Sequence, residues 1–298
     1  MSGERKGTLL CILAAVCWGL VSNAGEYLIG IKGMNAIQVT SLRLMTAGLI
    51  LLAIASIQGH KIFDVWRDRQ DVINLLITGF IGFGVCQTAY FISIQHANGG
   101  TASVLQNTAP IIILGYTLLH EKRAPKLWEL FSILLVLFGA FMLATHGDIH
   151  SLAISALSLF TGLLSASAVA LYSIFPANLM KKHGALIITG WGLLLGGLML
   201  TPAAKPWPLT GQIDTGCILM FTFLVLAGTV STFALYMYSL PLIGAVKASV
   251  ICLLEPVVAT FVTVTVFHTA FTISDYIGIL TILTGVLVLT LTPESTLK

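Results

Sequence analysis

Hydrophobic positions along this chain fall into ten long runs separated by short polar stretches. The runs are 8–31, 35–57, 72–95, 100–119, 127–145, 151–179, 185–202, 215–240, 244–266 and 274–292. About 20 apolar residues in helical form cross the roughly 30 Å hydrocarbon core of a bilayer. Lipid gives the backbone no hydrogen-bond partners, so each run must bond within itself. None shows the strict alternation of a barrel strand. The pattern predicts an all-α integral membrane protein of ten transmembrane helices.

Composition excludes the soluble alternative. The chain has 298 residues, of which 57% are hydrophobic and 9% charged, against about 25% charged in ordinary soluble domains. The run that begins at Thr8 is read as a first span rather than a removable leader. It continues too far, and no small-x-small site ends it. The five cysteines all lie in apolar segments without metal-ligand spacing, and they read as buried small hydrophobes.

Where the charges fall sets the orientation. With the N-terminus in the cytoplasm, Arg5, Lys6, Lys61, Arg67, Arg69, Lys122, Arg123, Lys126, Lys181, Lys182, Lys247 and Lys298 all face inward. Only Lys32 and Lys205 face outward, and Arg43 lies inside a span. Ten spans then place both termini in the cytoplasm.

The chain also resembles itself. Shifted by 146 residues, 80–144 aligns with 226–290 without a gap, and 14 of 65 positions are identical. The matches include Gly82 with Gly228, Tyr90 with Tyr236, Pro110 with Pro256 and Gly139 with Gly285. Two five-helix repeats are expected, 1–147 and 148–298. Five is odd, so the second enters the membrane from the opposite side, as in many secondary transporters.

The polar residues inside spans carry the chemistry. Glu255 stands directly before Pro256 in GAVKASVICLLEPVVA, residues 244–259. It is eleven residues into its span, about 16 Å deep at 1.5 Å per residue. Pro110 reaches a similar depth in the repeat-related span. A proline removes a backbone donor and kinks a helix, and paired interruptions in equivalent segments point to a transporter site. A carboxylate at the bilayer centre is costly unless it faces the bundle interior or water. Glu255 is therefore the candidate for proton coupling or for binding an amine, with a protonated, hydrogen-bonded structural role as the alternative. Span 4 has Ala109 at the matching position. Glu26 and Arg43 differ in depth by about one turn and are read as a structural ion pair or as substrate contacts.

Further candidates follow from helical spacing. Trp18, Ser22 and Glu26 share one face, as do Gln87 with Tyr90, and Gln106, Asn107 with Pro110. Ser158, Thr161, Ser165 and Tyr172 line another, and Tyr236 mirrors Tyr90. The substrate-binding set is Trp18, Gln87, Tyr90, Gln106, Asn107, Tyr172, Tyr236 and Glu255, with Pro110 and Pro256 as helix breaks. Interhelical hydrogen bonding is the alternative for each residue alone. Lys247, near a span end, is expected to snorkel.

No phosphate-cradling glycine loop is present, so ATP drive within the chain is not expected. The His146-Gly-Asp-Ile-His150 stretch reads as an exposed loop rather than a metal site, and no cofactor is expected. The basic loops face the lipid surface, and nucleic acid is not implied.

The stretch TASVLQNTAPIIILGYTLLHEKRAPKLWELFSILLVLFGAFML (101–143) recurs as KASVICLLEPVVATFVTVTVFHTAFTISDYIGILTILTGVLVL (247–289). With Trp18-Gly19 and Leu42-Arg43, it resembles the EamA family of the drug/metabolite transporter superfamily, over essentially the whole chain. Ala97-Asn98-Gly99-Gly100-Thr101-Ala102 and Ala144-Thr145-His146-Gly147 resemble its carboxylate/amino acid/amine branch. The resemblance implies ten helices in two inverted five-helix repeats, a central cavity lined by helices 1, 3, 4, 6, 8 and 9, and metabolite transport in the bacterial inner membrane. The chain departs from the family where helices 4 and 9 often end in Gly-Glu. Here those positions read His120-Glu121 and Phe267-His268, and Glu121 is given no transport role.

The reading is therefore a secondary transporter of a small polar metabolite, an amino acid or related amine or carboxylate, by alternating access and coupled to protons through Glu255. An uncoupled facilitator or exporter is the alternative, and an intramembrane enzyme a weaker one. The expected partners are a small-molecule substrate, the lipid bilayer and protons, with the chain a monomer.

Overall fold

The computed structural model describes residues 3–28, 32–96, 105–106, 108–122, 124, 126–145, 148, 156–205, 208–255, 257–258 and 272–291. The apolar runs become helices, and polar caps mark their edges. The helices are α1 (Gly3–Glu26), α2 (Ala36–Ile57), α3 (Arg69–Leu76), α4 (Cys86–His96), α5 (Ala109–Glu121), α6 (Leu127–Thr145), α7 (Ala156–Ile174), α8 (Ala177–His183), α9 (Ala185–Ala204), α10 (Thr215–Val225), α11 (Thr232–Ile243), α12 (Ala245–Cys252) and α13 (Ile273–Leu291). Five stretches of the described chain are long and apolar enough to cross a membrane: Ile37–Ile57, Arg69–Tyr90, Leu159–His183, Ala185–Ala204 and Thr215–Ile243.

Helix starts follow capping chemistry. The Asn35 side chain accepts from the Ile37 and Gln38 amides at the head of α2, and Asp68 from Gln70 and Asp71 at the head of α3. Each satisfies donors that the first helical turn leaves open.

Two features repeat at the 146-residue offset, and sequence reasoning found only the second. Widened π-helical segments join α3 to α4 over Ile77–Val85 and α10 to α11 over Leu226–Ser231. In the second, the hydroxyls of Thr229 and Ser231 donate to carbonyls five residues back, Leu224 and Leu226. Such segments are rare and often accompany functional sites. The second feature is a helix break. Thr108 N donates to Leu105 O at 3.1 Å, and its equivalent Leu254 N donates to Ile251 O at 3.0 Å. Helical bonding then resumes from the same two residues, as Ile112 N to Thr108 O and Val258 N to Leu254 O. The expected helix breaks thus fall in the turns just before positions 110 and 256, where a proline disturbs helical bonding. Pro110 sits in the first turn of α5, where a missing N–H costs nothing. Position 256 lies outside the described residues.

Small residues let helices touch. On α2 against α9, a Cβ placed on Gly48 would lie 2.6 Å from Leu194 N and 2.7 Å from Gly190 O. On α6 against α13, the repeat-related glycines do the same work: a Cβ on Gly139 would lie 2.5 Å from Gly278 O, and one on Gly285 2.9 Å from Ser132 O. Gly192 and Gly196 seat α9 on the first π segment, against the Phe83 ring and Gly79 O.

Polar links tie the repeats at both ends of α2. Before α2, Lys32 Nζ pairs with Asp214 at 2.6 Å, and Gln38 exchanges hydrogen bonds with Thr210, Lys205 O and Pro208 O. Beyond its far end, Asp71 takes Lys182 and His183 at 2.6 Å each. Lys247 does not snorkel free as expected. Its side chain is buried and pairs with Glu4 of α1 at 2.6 Å.

Asp214 does two jobs, pairing with Lys32 and capping α10 through Cys217 N at 2.8 Å. Asp214→Asn keeps an acceptor for the cap, whereas Asp214→Ala removes both. The alanine variant should therefore melt lower than the asparagine variant in a thermal unfolding comparison. Lys32 holds the Asp214 carboxyl below its usual range. A lowered carboxyl contributes stability above its ordinary range and loses it as pH falls through the lowered value. The difference between wild type and Asp214→Asn should accordingly shrink in acid.

Candidate functional site

A cavity of about 190 Å³ lies where the interrupted helices and the π segments converge. That is room for roughly six waters at about 30 Å³ each, and it lies below the roughly 300 Å³ where drug-sized pockets begin. It fits a small metabolite.

Its wall is built from both repeats. Trp18 comes from α1, Arg43 from α2, and Cys86, Gln87 and Tyr90 from α4. Gln106 stands just before the first helix break and Ala109 just after it. Val169 and Tyr172 project from α7, Phe233 and Tyr236 from α11, and Gly228 lies in the second π segment. Cys252, Leu253 and Glu255 flank the second break.

Glu255 stands just beyond the second break. It is three residues beyond Cys252, so the two share a helix face. The turn at Leu253–Leu254 lies between them, and both line the cavity wall. Seven of the eight expected substrate residues line this cavity: Trp18, Gln87, Tyr90, Gln106, Tyr172, Tyr236 and Glu255. Asn107 lies outside the described residues. Arg43 lines the wall as well, but the side chain of Glu26 is not described, so their expected pairing is not seen. Among the other expected face residues, Ser165 is buried behind the wall, where it positions Gln106. Thr161 bonds back to Leu157 O of its own helix.

Hydrogen bonds and ring contacts fix the wall. Arg43 Nη2 donates to Gln87 Oε1 at 2.9 Å. Gln106 Nε2 donates to Ser165 Oγ at 2.8 Å, and Ser165 Oγ donates to Cys86 O at 3.0 Å. The Tyr236 hydroxyl is 2.8 Å from Ser173 Oγ. The Trp18 ring meets Phe233 at 5.4 Å and Tyr236 at 5.5 Å between centroids, and Phe83 stacks on Tyr172 at 5.0 Å. Aromatic pairs at such distances hold their geometry.

Sequence reasoning missed Cys86, Ala109, Val169, Gly228, Phe233, Cys252 and Leu253 as wall residues. One signal would have found three of them. At the 146-residue offset, Gln87 corresponds to Phe233, Tyr90 to Tyr236, Gln106 to Cys252 and Ala109 to Glu255, and all eight line the cavity. Only the tyrosines are conserved between the copies. The first copy supplies two amides and a methyl group, and the second a phenyl ring, a thiol and a carboxyl. Chemistry sits where the repeat is broken.

The EamA-like transporter family profile matches residues 5–145 and matches again over 156–291. The chain belongs to the EamA-like transporter family. It is 36% identical over 291 residues to the Uncharacterized inner membrane transporter YicL of Salmonella typhimurium, covering 98% of this chain and 97% of that one. An Uncharacterized transporter of Archaeoglobus fulgidus is 26% identical over 259 residues, covering 85% of this chain and 87% of that one. A solved crystal structure shares the fold with a TM-score of 0.78 at 17% identity, covering 96% of this chain and 97% of that chain. This EamA protein is thus a multi-pass transporter of the inner membrane.

Proposed function

We propose that this EamA protein is a secondary transporter of a small polar metabolite, an amino acid or a related amine or carboxylate. It works by alternating access about the central cavity, and Glu255 carries the coupling proton. The ten spans form two inverted five-helix repeats, 1–147 and 148–298, with both termini in the cytoplasm and one chain as the working unit. The observation that carries this reading is the meeting of repeat-equivalent helix breaks on one cavity, with a carboxyl delivered by one of them. Interrupted helices let a membrane protein present polar groups at depth without exposing backbone to lipid.

Two facts support the assignment of the proton to Glu255. It is the one carboxyl among the described wall residues, and its titratable neighbours there are Arg43, Cys86, Tyr90, Tyr172, Tyr236 and Cys252. No histidine stands among the described wall residues, so that wall lacks the Cys–His pair of a thiol acyl-transfer enzyme.

Uptake of a labelled amino-acid and amine panel into proteoliposomes, with a pH gradient of either polarity, tests the reading. One proton per substrate supports about tenfold accumulation per pH unit. Accumulation that follows the gradient is the expected result. Equilibration indifferent to pH makes the protein a facilitator instead.

A further inference from the structure

We propose that Arg43 and Gln87 form the carboxylate-binding end of the cavity, so that the site accepts a zwitterion with a single carboxylate. This deepens the transport reading and rests on the same cavity.

Among the described residues, the charge of Arg43 meets no carboxylate. A guanidinium remains a cation in proteins. Arg43 borders the cavity from deep within the bundle, and among the described residues it donates to a neutral acceptor, Gln87 Oε1. Its Nε–H is sealed from solvent and finds no acceptor. Among the described residues no carboxylate pairs with it, although every other ion pair seen in the bundle joins opposite charges at its ends. A buried cation without an anion is costly, and such groups in membrane proteins mark substrate pathways.

Gln87 shapes this end further. With its oxygen held by Arg43, its amide nitrogen is a second donor on the same wall. A guanidinium and an adjacent amide donor suit the two oxygens of a carboxylate.

Charge counting selects the substrate. The described wall holds one cation, Arg43, and one carboxyl, Glu255, from opposite repeats. A zwitterion meets both. A simple amine leaves Arg43 unmet, and a dicarboxylate or phosphate brings a second negative charge with no second cation. Between these poles the wall is Trp18, Tyr172, Phe233 and Tyr236, which suits an uncharged side chain.

The test uses the full chain in detergent and isothermal titration calorimetry. The probes are leucine, leucinamide, isoamylamine, 4-methylpentanoate and inorganic phosphate, with the same series repeated for alanine and phenylalanine. In at least one series the zwitterion should bind about tenfold or more tightly than its amide and amine, because a site built to bond a group rejects analogues that lack it. Arg43→Gln should erase that advantage while leaving amine binding in place, and Arg43→Lys should restore part of it. If Arg43→Gln does not fold, Gln87→Leu keeps the cation and must still shrink the advantage. The proposal is overturned if amides bind as well as zwitterions, if phosphate binds best, if no zwitterion binds, or if the advantage survives these variants. It is also overturned if Glu26→Gln alone reproduces the loss, which would make Glu26 the partner of Arg43. The transport reading fails separately. Arg43-dependent zwitterion binding without gradient-driven uptake would sink transport and keep the subsite. Coupled uptake of plain amines, indifferent to Arg43, would do the reverse.

Discussion

Glu255→Gln will lose accumulation driven by a pH gradient and retain exchange of substrate across the same membrane. Glutamine keeps the length and hydrogen-bonding shape of the side chain but cannot load or release a proton. In a coupled carrier the empty site must return with its proton state reset, and a permanently neutral group removes the link to the gradient. Exchange needs only the loaded site to cycle, so it survives at higher substrate concentration, because the amide no longer offers the substrate ammonium a carboxylate. With a gradient of one pH unit, wild type should reach about tenfold accumulation per coupled proton, and the variant should reach equilibrium only. Glu255→Asp, which withdraws the carboxyl by one methylene, should keep coupling at a lower rate. The measurement is initial rate and final ratio in proteoliposomes, beside thermal unfolding of each variant in detergent. Intact accumulation by a well-folded Glu255→Gln would remove Glu255 from the coupling role and leave it as a binding or structural group.

The reach of that variant depends on a feature legible only in part. Glu255 stood out in the sequence because a carboxyl in an apolar run is rare. Its route to the cavity did not. The break at Leu253–Leu254 lies before position 256 rather than at it, and the residues that make the turn are leucines. The paired prolines placed it in the repeat, and the turn at Thr108 has the same bonding. Some span boundaries were plain for a different reason, although α1 begins five residues before the expected 8–31. Apolar runs end where caps such as Asn35 and Asp68 begin, and lipid forces helix between them. The expected run 127–145 coincides with α6, and 35–57 differs from α2 by one residue at its start. Phe233 and Cys252 stayed hidden because a phenylalanine or cysteine in an apolar run looks the same whether it faces core, lipid or cavity. The partnership of Lys247 with Glu4 was beyond reach as well, since it joins residues 243 apart in the chain. The π segments carry no composition of their own, so they too became visible only in three dimensions.

Gly48→Leu should be among the most destabilising single changes on the helix surfaces, because the obstacle it meets is backbone. A Cβ at Gly48 would lie 2.6 Å from Leu194 N and 2.7 Å from Gly190 O. A flexible side chain could swing away, but a helix backbone cannot. The α2 and α9 axes must separate, and the contacts of Gly190 with Leu52 and of Gly197 with Met45 loosen together. Overpacking of this kind costs about 1–3 kcal/mol, occasionally more, and in lipid close packing is itself what holds helices together. Gly115→Ala is the control of opposite sign. Its Cβ would enter open space, and replacing a mid-helix glycine by alanine stabilises by roughly 0.5–1 kcal/mol. Thermal unfolding in one detergent should therefore lower the melting temperature of the first variant and raise that of the second. The effect on transport should follow the same geometry. Arg43 lies on α2 little more than one turn before Gly48, and its bond to Gln87 spans to α4. Prying α2 from α9 shifts the guanidinium relative to that amide. Gly48→Ala, which meets the same backbone with less bulk, should fold well enough to show weakened substrate binding. A Gly48→Ala protein with wild-type stability and affinity would show that α2 and α9 can separate freely, and that the close crossing does not position Arg43.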